Sequence, residues 1–232
     1  MRILGAAVVA LFLASGAEAR QSCASALGLE ACYSDASGPV GYDHAILGDV
    51  PEWTELRLKA GTVRFANGFF EDIAPVVADV TGDGRPEVLA VHSDFNLGAR
   101  LVVLSEQGAL VAATPFVGQS HRWFAQAGVG DFDGDGQVEI AYVDRPHLAK
   151  ELVFVRVQQG RLREMARISG LTNHQIGDNR ISGGVRNCGS GDEVVLASGD
   201  WLRIMAVRIG KAPRALGAYS ATAVQAALRC RG

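Results

Sequence analysis

The sequence predicts an all-β fold: a small β-propeller of about four blades, each a four-stranded antiparallel sheet, with acidic loops between strands one and two of some blades. Three observations carry this prediction. Two segments are near copies, Ile73 to Val91 (IAPVVADVTGDGRPEVLAV) and Phe124 to Val143 (FAQAGVGDFDGDGQVEIAYV), each an apolar strand, an acidic glycine-rich loop and a second apolar strand. Weaker copies run from Ile181 to Ser198 and, truncated, from His44 to Leu58; the anchoring acids Glu52, Glu87, Glu139 and Glu193 are 35, 52 and 54 residues apart. This spacing suggests units of similar size with a shortened first one. Between the anchors come only short strands, such as Arg100 to Ser105, Leu110 to Thr114, Glu151 to Val157 and Leu162 to Ile168, with no convincing amphipathic helix. Small sheets of this kind bury their faces against one another in a propeller. The rival is a β-sandwich with two similar hairpins.

Along the chain, Met1, Arg2, the apolar run Ile3 to Ala14 and the small-x-small triplet Ala17, Glu18, Ala19 read as a secretory signal over residues 1–19. The run is about half of the roughly 20 residues a bilayer-spanning helix needs, and no later stretch is apolar enough to span. A chain starting at residue 20 is therefore expected to be soluble, exported to the periplasm or beyond the cell, and monomeric. Residues 20–41 read as a separate N-terminal segment and 42–232 as the propeller. With 48% hydrophobic and 20% charged residues and a formal charge of −3, the chain is neither disordered in composition nor drawn to nucleic acid or anionic lipid. Four cysteines in an exported chain favour disulfides; three connectivities exist, and closeness favours Cys23 with Cys32 and Cys188 with Cys230. Zinc ligation competes, but no CxxC occurs.

The two acidic loops carry the clearest chemistry. In Asp131-Phe-Asp133-Gly-Asp135-Gly136-Gln137-Val-Glu139, carboxylates fall at positions 1, 3, 5 and 9, glycine at 6, and Gln137 offers a carbonyl at 7. Hard oxygen donors at alternate positions around a glycine turn suit calcium. In Asp79-Val-Thr81-Gly-Asp83-Gly84-Arg85-Pro-Glu87 a hydroxyl replaces one carboxylate and Arg85 offers the carbonyl, so weaker binding is expected. Neither is an EF-hand, since Tyr142 and Ala90 stand where a bidentate carboxylate is required. The competing reading is a pair of solvated acidic turns. The corresponding loop near Arg186, Asn187 and Cys188 lacks the ligands, so a disulfide is expected to replace the ion there. Calcium in such loops is expected to be structural.

Val76 to Val91 and Gly128 to Val143 resemble the FG-GAP or VCBS repeats of integrin alpha-chain propellers and of many secreted bacterial proteins. The whole chain resembles short exported bacterial proteins built from these repeats. The resemblance implies calcium-binding propeller blades and leaves the activity open.

If the acidic loops join strands one and two, the segments before strand one and the turns after strand two gather at the opposite rim. They bring His44, Asp72, His121, Arg122, Trp123, Arg145, His147 and Arg180 there as candidate ligand-binding residues. The alternative is structural: arginines paired with acids of neighbouring blades and tryptophans packed between sheets. No G-x-S-x-G, H-E-x-x-H, P-loop or G-x-G-x-x-G occurs. A non-catalytic binding module for a protein or glycan is expected; a periplasmic hydrolase or lyase using His44, Asp72, Arg122, Arg145 and His147, or a subunit of an envelope assembly, are the alternatives.

Overall fold

Turn chemistry and period-2 patterning resolve into four antiparallel sheets in a computed structural model that describes residues 19–38 and 40–231. Of the expected signal segment only Ala19 falls within the described residues. The first sheet holds β1 Gln21–Ala26, β2 Leu29–Ser34, β3 Glu55–Leu58 and β4 Gly61–Val63 in that order. In the second, β5 Phe69–Phe70 and β6 Val76–Ala78 both pair with β7 Glu87–Asp94, followed by β8 Gly98–Leu104 and β9 Leu110–Ala113. The third is β10 Phe124–Gly130, β11 Glu139–Asp144, β12 Glu151–Gln158 and β13 Arg161–Ser169. The fourth has β14 Leu171–Thr172 and β15 Gly184–Asn187 on β16 Asp192–Ser198, then β17 Arg203–Val207 and β18 Arg214–Ala218. Each sheet is a consecutive meander, the blade pattern of a small propeller.

Every residue of β7 and of β11 is buried, because these second strands are covered on both faces by neighbouring sheets. One apolar cluster runs through sheets two, three and four, from Leu89 and Leu101 through Phe132 and Phe154 to Leu196. A second joins sheets one and two through Tyr33, Trp53, Leu56, Phe70 and Val102.

The first sheet corrects two expectations. Residues 20–41 are not a separate segment, since they supply β1 and β2. His44 to Leu58 is not a shortened repeat, since residues 35–54 form the connection from β2 to β3. The first sheet's own hairpin turns at Leu27 and Gly28, both at positive φ (53° and 83°) as a two-residue turn requires. That turn holds no acid, so a search keyed on acidic loops passes over it. Second strands begin at Leu29, Glu87, Glu139 and Asp192, so the spacings are a regular 58, 52 and 53 residues.

The sequence also missed a helix, α1 Ala221–Leu228, whose N-cap Ser220 accepts the Ala223 N–H at 3.1 Å. Val224 and Ala227 pack it on Val195 and Ile204 of the fourth sheet. Both expected disulfides form: Cys23–Cys32 joins directly opposed residues of β1 and β2, and Cys188–Cys230 fastens the chain just after α1 to the turn after β15. Cys188 and Cys230 are 42 residues apart, a loop whose closure restrains the unfolded chain by up to about 4 kcal/mol. Replacing both by Ala is expected to cost about 2–4 kcal/mol in thermal unfolding and to speed amide exchange across residues 221–228; unchanged exchange there would show that packing alone holds α1.

Candidate functional site

The acidic loops lie at one end of the sheets and differ in how their charge is balanced. In both, the first aspartate is turned onto backbone N–H groups. Asp131 accepts from Gly134 and Gly136 at 2.7 and 3.0 Å, and Asp79 from Gly82 and Gly84 at 2.7 and 2.9 Å. All four glycines sit at φ of 75–84°, which curls the loop and is strained for other residues.

In the third sheet, Asp131, Asp133 and Glu139 each place one oxygen within 4.8 Å of the others, a grouping that suits a metal ion. A tethered cation lies among these carboxylates. Arg156 of β12, with its side chain 6% exposed, donates from Nη1 to Asp135 at 2.9 Å, from Nη2 to Asp133 at 3.1 Å and from Nε to Glu139 at 2.6 Å. Glu139, fully buried, also accepts the Phe132 N–H at 2.9 Å, and Gln137 donates its N–H to Asp135 at 2.8 Å.

In the second sheet no such cation enters. Glu87 accepts from Val80 N–H at 2.9 Å and from the Thr81 hydroxyl at 3.1 Å, and Asp83 accepts from the Arg85 N–H at 2.9 Å. Among the described residues, no basic side chain forms an ion pair with Asp79, Asp83 or Glu87. Register explains the difference. Ile140 faces Val155 in one sheet and Val88 faces Leu104 in the other, so the residue in the place of Arg156 is Ser105. In the fourth sheet the loop has Arg186 on Glu193 at 2.7 Å and the Cys188–Cys230 bridge.

The connection 35–54 crosses the opposite end. His44 Nδ1 meets Glu71 Oε1 at 2.5 Å, Tyr42 stacks on His121 with ring centroids 4.4 Å apart and accepts the His121 N–H, and Ile46 and Asp49 accept from Gly177 and Asn179 at 3.0 and 3.1 Å. One loop of the first sheet thus touches the leading segments of the other three. Gly48 is needed for it: a Cβ there would lie 2.5 Å from the Gly177 carbonyl oxygen.

Beneath this loop is a cavity of about 230 Å³. Five basic side chains line it, His44, His121, Arg122, Arg145 and His147, together with Trp123 and the apolar Ile46, Pro146, Leu148 and Ile176. Larger grooves of about 720 and 940 Å³ lie along the β12–β13 hairpin and between the first sheet and the Glu106–Gln107 turn of the second. Glu71, buried behind the cavity, accepts from His44 and the Ser93 hydroxyl, while its carbonyl accepts the Trp123 Nε1–H at 2.6 Å. His147 Nε2 lies 3.0 Å from His174 Nδ1, and His174 Nε2 lies 2.9 Å from the Asp178 carbonyl. The carbonyl accepts only, so His174 carries its proton on Nε2 and His147 donates from Nε2. Burial, with His174 nearby, pulls His147 down to about 4, and burial also lowers His174, so both are neutral at pH 7.

Six of the eight expected rim residues therefore meet in this cavity. Two do not. Arg180 is exposed and stands outside it. Asp72 is buried behind it, accepting from Gln126 Nε2 and the Ile73 N–H, with its carbonyl bonded to Trp53 Nε1 at 2.8 Å. The structural reading of the rim holds for the Trp123 indole, which is buried, but not for the arginines. Arg145 pairs with its own neighbour Asp144 at 2.7 and 3.0 Å, and among the described residues Arg122 donates only to the His121 carbonyl, at 2.9 Å. Sequence reasoning missed Ile46, Leu148 and Ile176 in this cavity, and Arg156 at the other end, since none stands in a motif.

Residues 79–142, from the first residue of one acidic loop to Tyr142 in β11, match the family model described as an FG-GAP-like repeat. No curated protein gives a significant match to the chain. No described helix is long and apolar enough to cross a membrane.

Proposed function

We propose that this is an exported, calcium-binding propeller that acts as a non-catalytic binding module, stabilised by calcium at one end and engaging a ligand outside the cytoplasm at the other. The observation that carries the reading is that the matched repeat carries acidic loops at one end, while at the other its His121 and Arg122 meet Arg145 and His147 from just beyond it and His44 of the crossing loop around one cavity. Two disulfides fit an oxidising compartment.

The residues fit the ion unequally. Asp79, Thr81, Asp83, Glu87 and the Arg85 carbonyl offer oxygen donors without a counter-cation, whereas the acids already gathered within 4.8 Å are Asp131, Asp133 and Glu139, and Asp133, Asp135 and Glu139 contact Arg156. A bound calcium would supply a hard positive charge tying β6 to β7. Calorimetric titration into chelator-treated protein, paired with melting curves, is expected to show one calcium, lost in Asp79→Ala/Asp83→Ala. At a hundredfold excess over Kd the ion stabilises by about 2.7 kcal/mol, a rise of about 5–10 °C. Absence of binding and of any shift would overturn the calcium reading.

One observation favours a second reading, a hydrolase or lyase. The buried Glu71 carboxylate orients His44 as a carboxylate–histidine pair orients a general base. Turnover of an ester, glycoside or phosphoester that disappears in His44→Ala would establish it.

A further inference from the structure

We infer that the cavity beneath the crossing loop takes a carboxylate joined to a branched aliphatic group, the chemistry of a peptide chain ending in leucine, isoleucine or valine. This rests on the reading that the cavity end is the ligand-binding end, and it names the ligand's chemistry.

Charge comes first. The cavity is lined by two guanidinium groups and three imidazoles and by no acid, in a chain of formal charge −3. The nearby acids are already engaged: Glu71 by His44 and Ser93, and Asp144 by Arg145 and Arg167. Each imidazole has at least one nitrogen engaged, since His44 Nδ1 is held by Glu71, His121 Nε2 lies 3.0 Å from the Tyr42 carbonyl, and His147 Nε2 is held by His174. Arginine donors remain. Arg122 uses one Nη1 bond to a backbone carbonyl, and Arg145 uses Nε and Nη2 on Asp144, so Nη1 of Arg145 and most of the Arg122 fork have no protein acceptor among the described residues. The bidentate Asp144 pair also fixes the Arg145 plane, and fixed guanidinium forks favour planar carboxylate.

The rest of the lining is aliphatic. Leu148 and Ile176 are 62% and 72% exposed, two of the few large apolar side chains the described surface presents, and Ile46 and Pro146 extend their wall. Trp123 is only 1% exposed and turns its N–H to Glu71, so no open aromatic face is available on which a sugar ring could stack. This favours a peptide over a glycan. At about 230 Å³ the cavity is smaller than those that enclose drug-sized ligands, and it suits about one terminal residue.

The backbone is arranged around the same point. His121 and Arg145 hold φ of 56° and 44°, and Asp43 and Ala45 of the crossing loop 55° and 48°, in the left-handed region that residues other than glycine adopt seldom. Such conformations gather at ligand clamps.

The test uses calorimetry with three blocked peptides: Ac-Gly-Ala-Leu as the free acid, the same peptide as its amide, and Ac-Gly-Ala-Gly as the free acid. The leucine acid is expected to bind at least tenfold more tightly than either other, and Arg122→Gln is expected to weaken it at least tenfold with the melt and the calcium titration unchanged. Equal binding of acid and amide would overturn the proposal, as would no binding of the leucine acid by protein that still binds calcium. Equal binding of an internal Asp-Leu peptide blocked at both ends would overturn the chain-end assignment. Failure of the calcium titration in the unaltered protein counts instead against the calcium reading, so the two failures remain separate.

Discussion

Arg156→Met is expected to turn the acidic loop of the third sheet from one held by a tethered cation into one that depends on calcium. In the unaltered protein the guanidinium contacts Asp133, Asp135 and Glu139, and it is almost wholly buried with Glu139. Removing it leaves a buried carboxylate beside Asp133 with no counter-charge, a loss of about 3–5 kcal/mol when one partner of a buried pair is deleted. Asp135 is partly exposed, so most of the cost falls on Glu139. In chelator the melting temperature is expected to fall by about 10 °C. In calcium most of that loss is recovered, because Asp131, Asp133, Asp135 and Glu139 then face the ion, and the stoichiometry rises from one to two. The reciprocal change uses the shared register: Ser105→Arg places a guanidinium opposite Asp79, Asp83 and Glu87 and is expected to abolish calcium binding in the second sheet. A chelator melt of Arg156→Met equal to that of the unaltered protein, or no recovery in calcium, would remove the tethered-cation account.

This result could not have been read from the loop itself. Asp131 to Glu139 is the richer acidic motif, and local spacing alone ranks it above Asp79 to Glu87. Arg156 lies 17 residues beyond Glu139 on another strand, and only the β11–β12 register brings it back to the loop. The same division runs through the fold. The two hairpins around the acidic loops were legible because apolar runs, glycine and aspartate act within a few residues. The pairing of Cys188 with Cys230 was legible because few pairings were possible. The first sheet was not, because Leu27 and Gly28 make a turn with no acidic mark, and α1 was not, because eight residues rich in alanine carry little amphipathic pattern. The rim residues were legible as a set, since each flanks a strand end. That Glu71 would hold His44, and Asp72 retreat beneath it, depends on residues 35–54 crossing three sheets, and nothing local announces that path.

Asp72→Asn is expected to stabilise the protein above pH 7 and to change the shape of its pH profile. Asp72 is 2% exposed, and burial pushes its carboxyl up to about 7, against the N–H donors of Gln126 and Ile73 and with added repulsion from Glu71. Its unfolded value is about 3.9, so the folded state binds the proton more tightly. The contribution is therefore fully present below about pH 4 and lost as pH rises to 7, a change of up to about 4 kcal/mol. The histidines pull the other way. Burial lowers His92 and His147 to about 4, so their contribution is present above about pH 6.5 and lost as pH falls toward 4. Between pH 4 and 7 the two slopes oppose, and the unaltered protein is expected to show a shallow profile. In Asp72→Asn the Asp72 slope is gone while the histidines, His174 among them, and the burial-raised Glu139 keep theirs, so the profile tilts toward higher stability at neutral pH and the variant melts about 5–10 °C above the unaltered protein at pH 8, with little difference at pH 4. A difference between the two melting curves that does not grow with pH would show that Asp72 is ionised in the fold. The charge beside Glu71 would then have to be balanced through Gln126 and the backbone N–H groups alone.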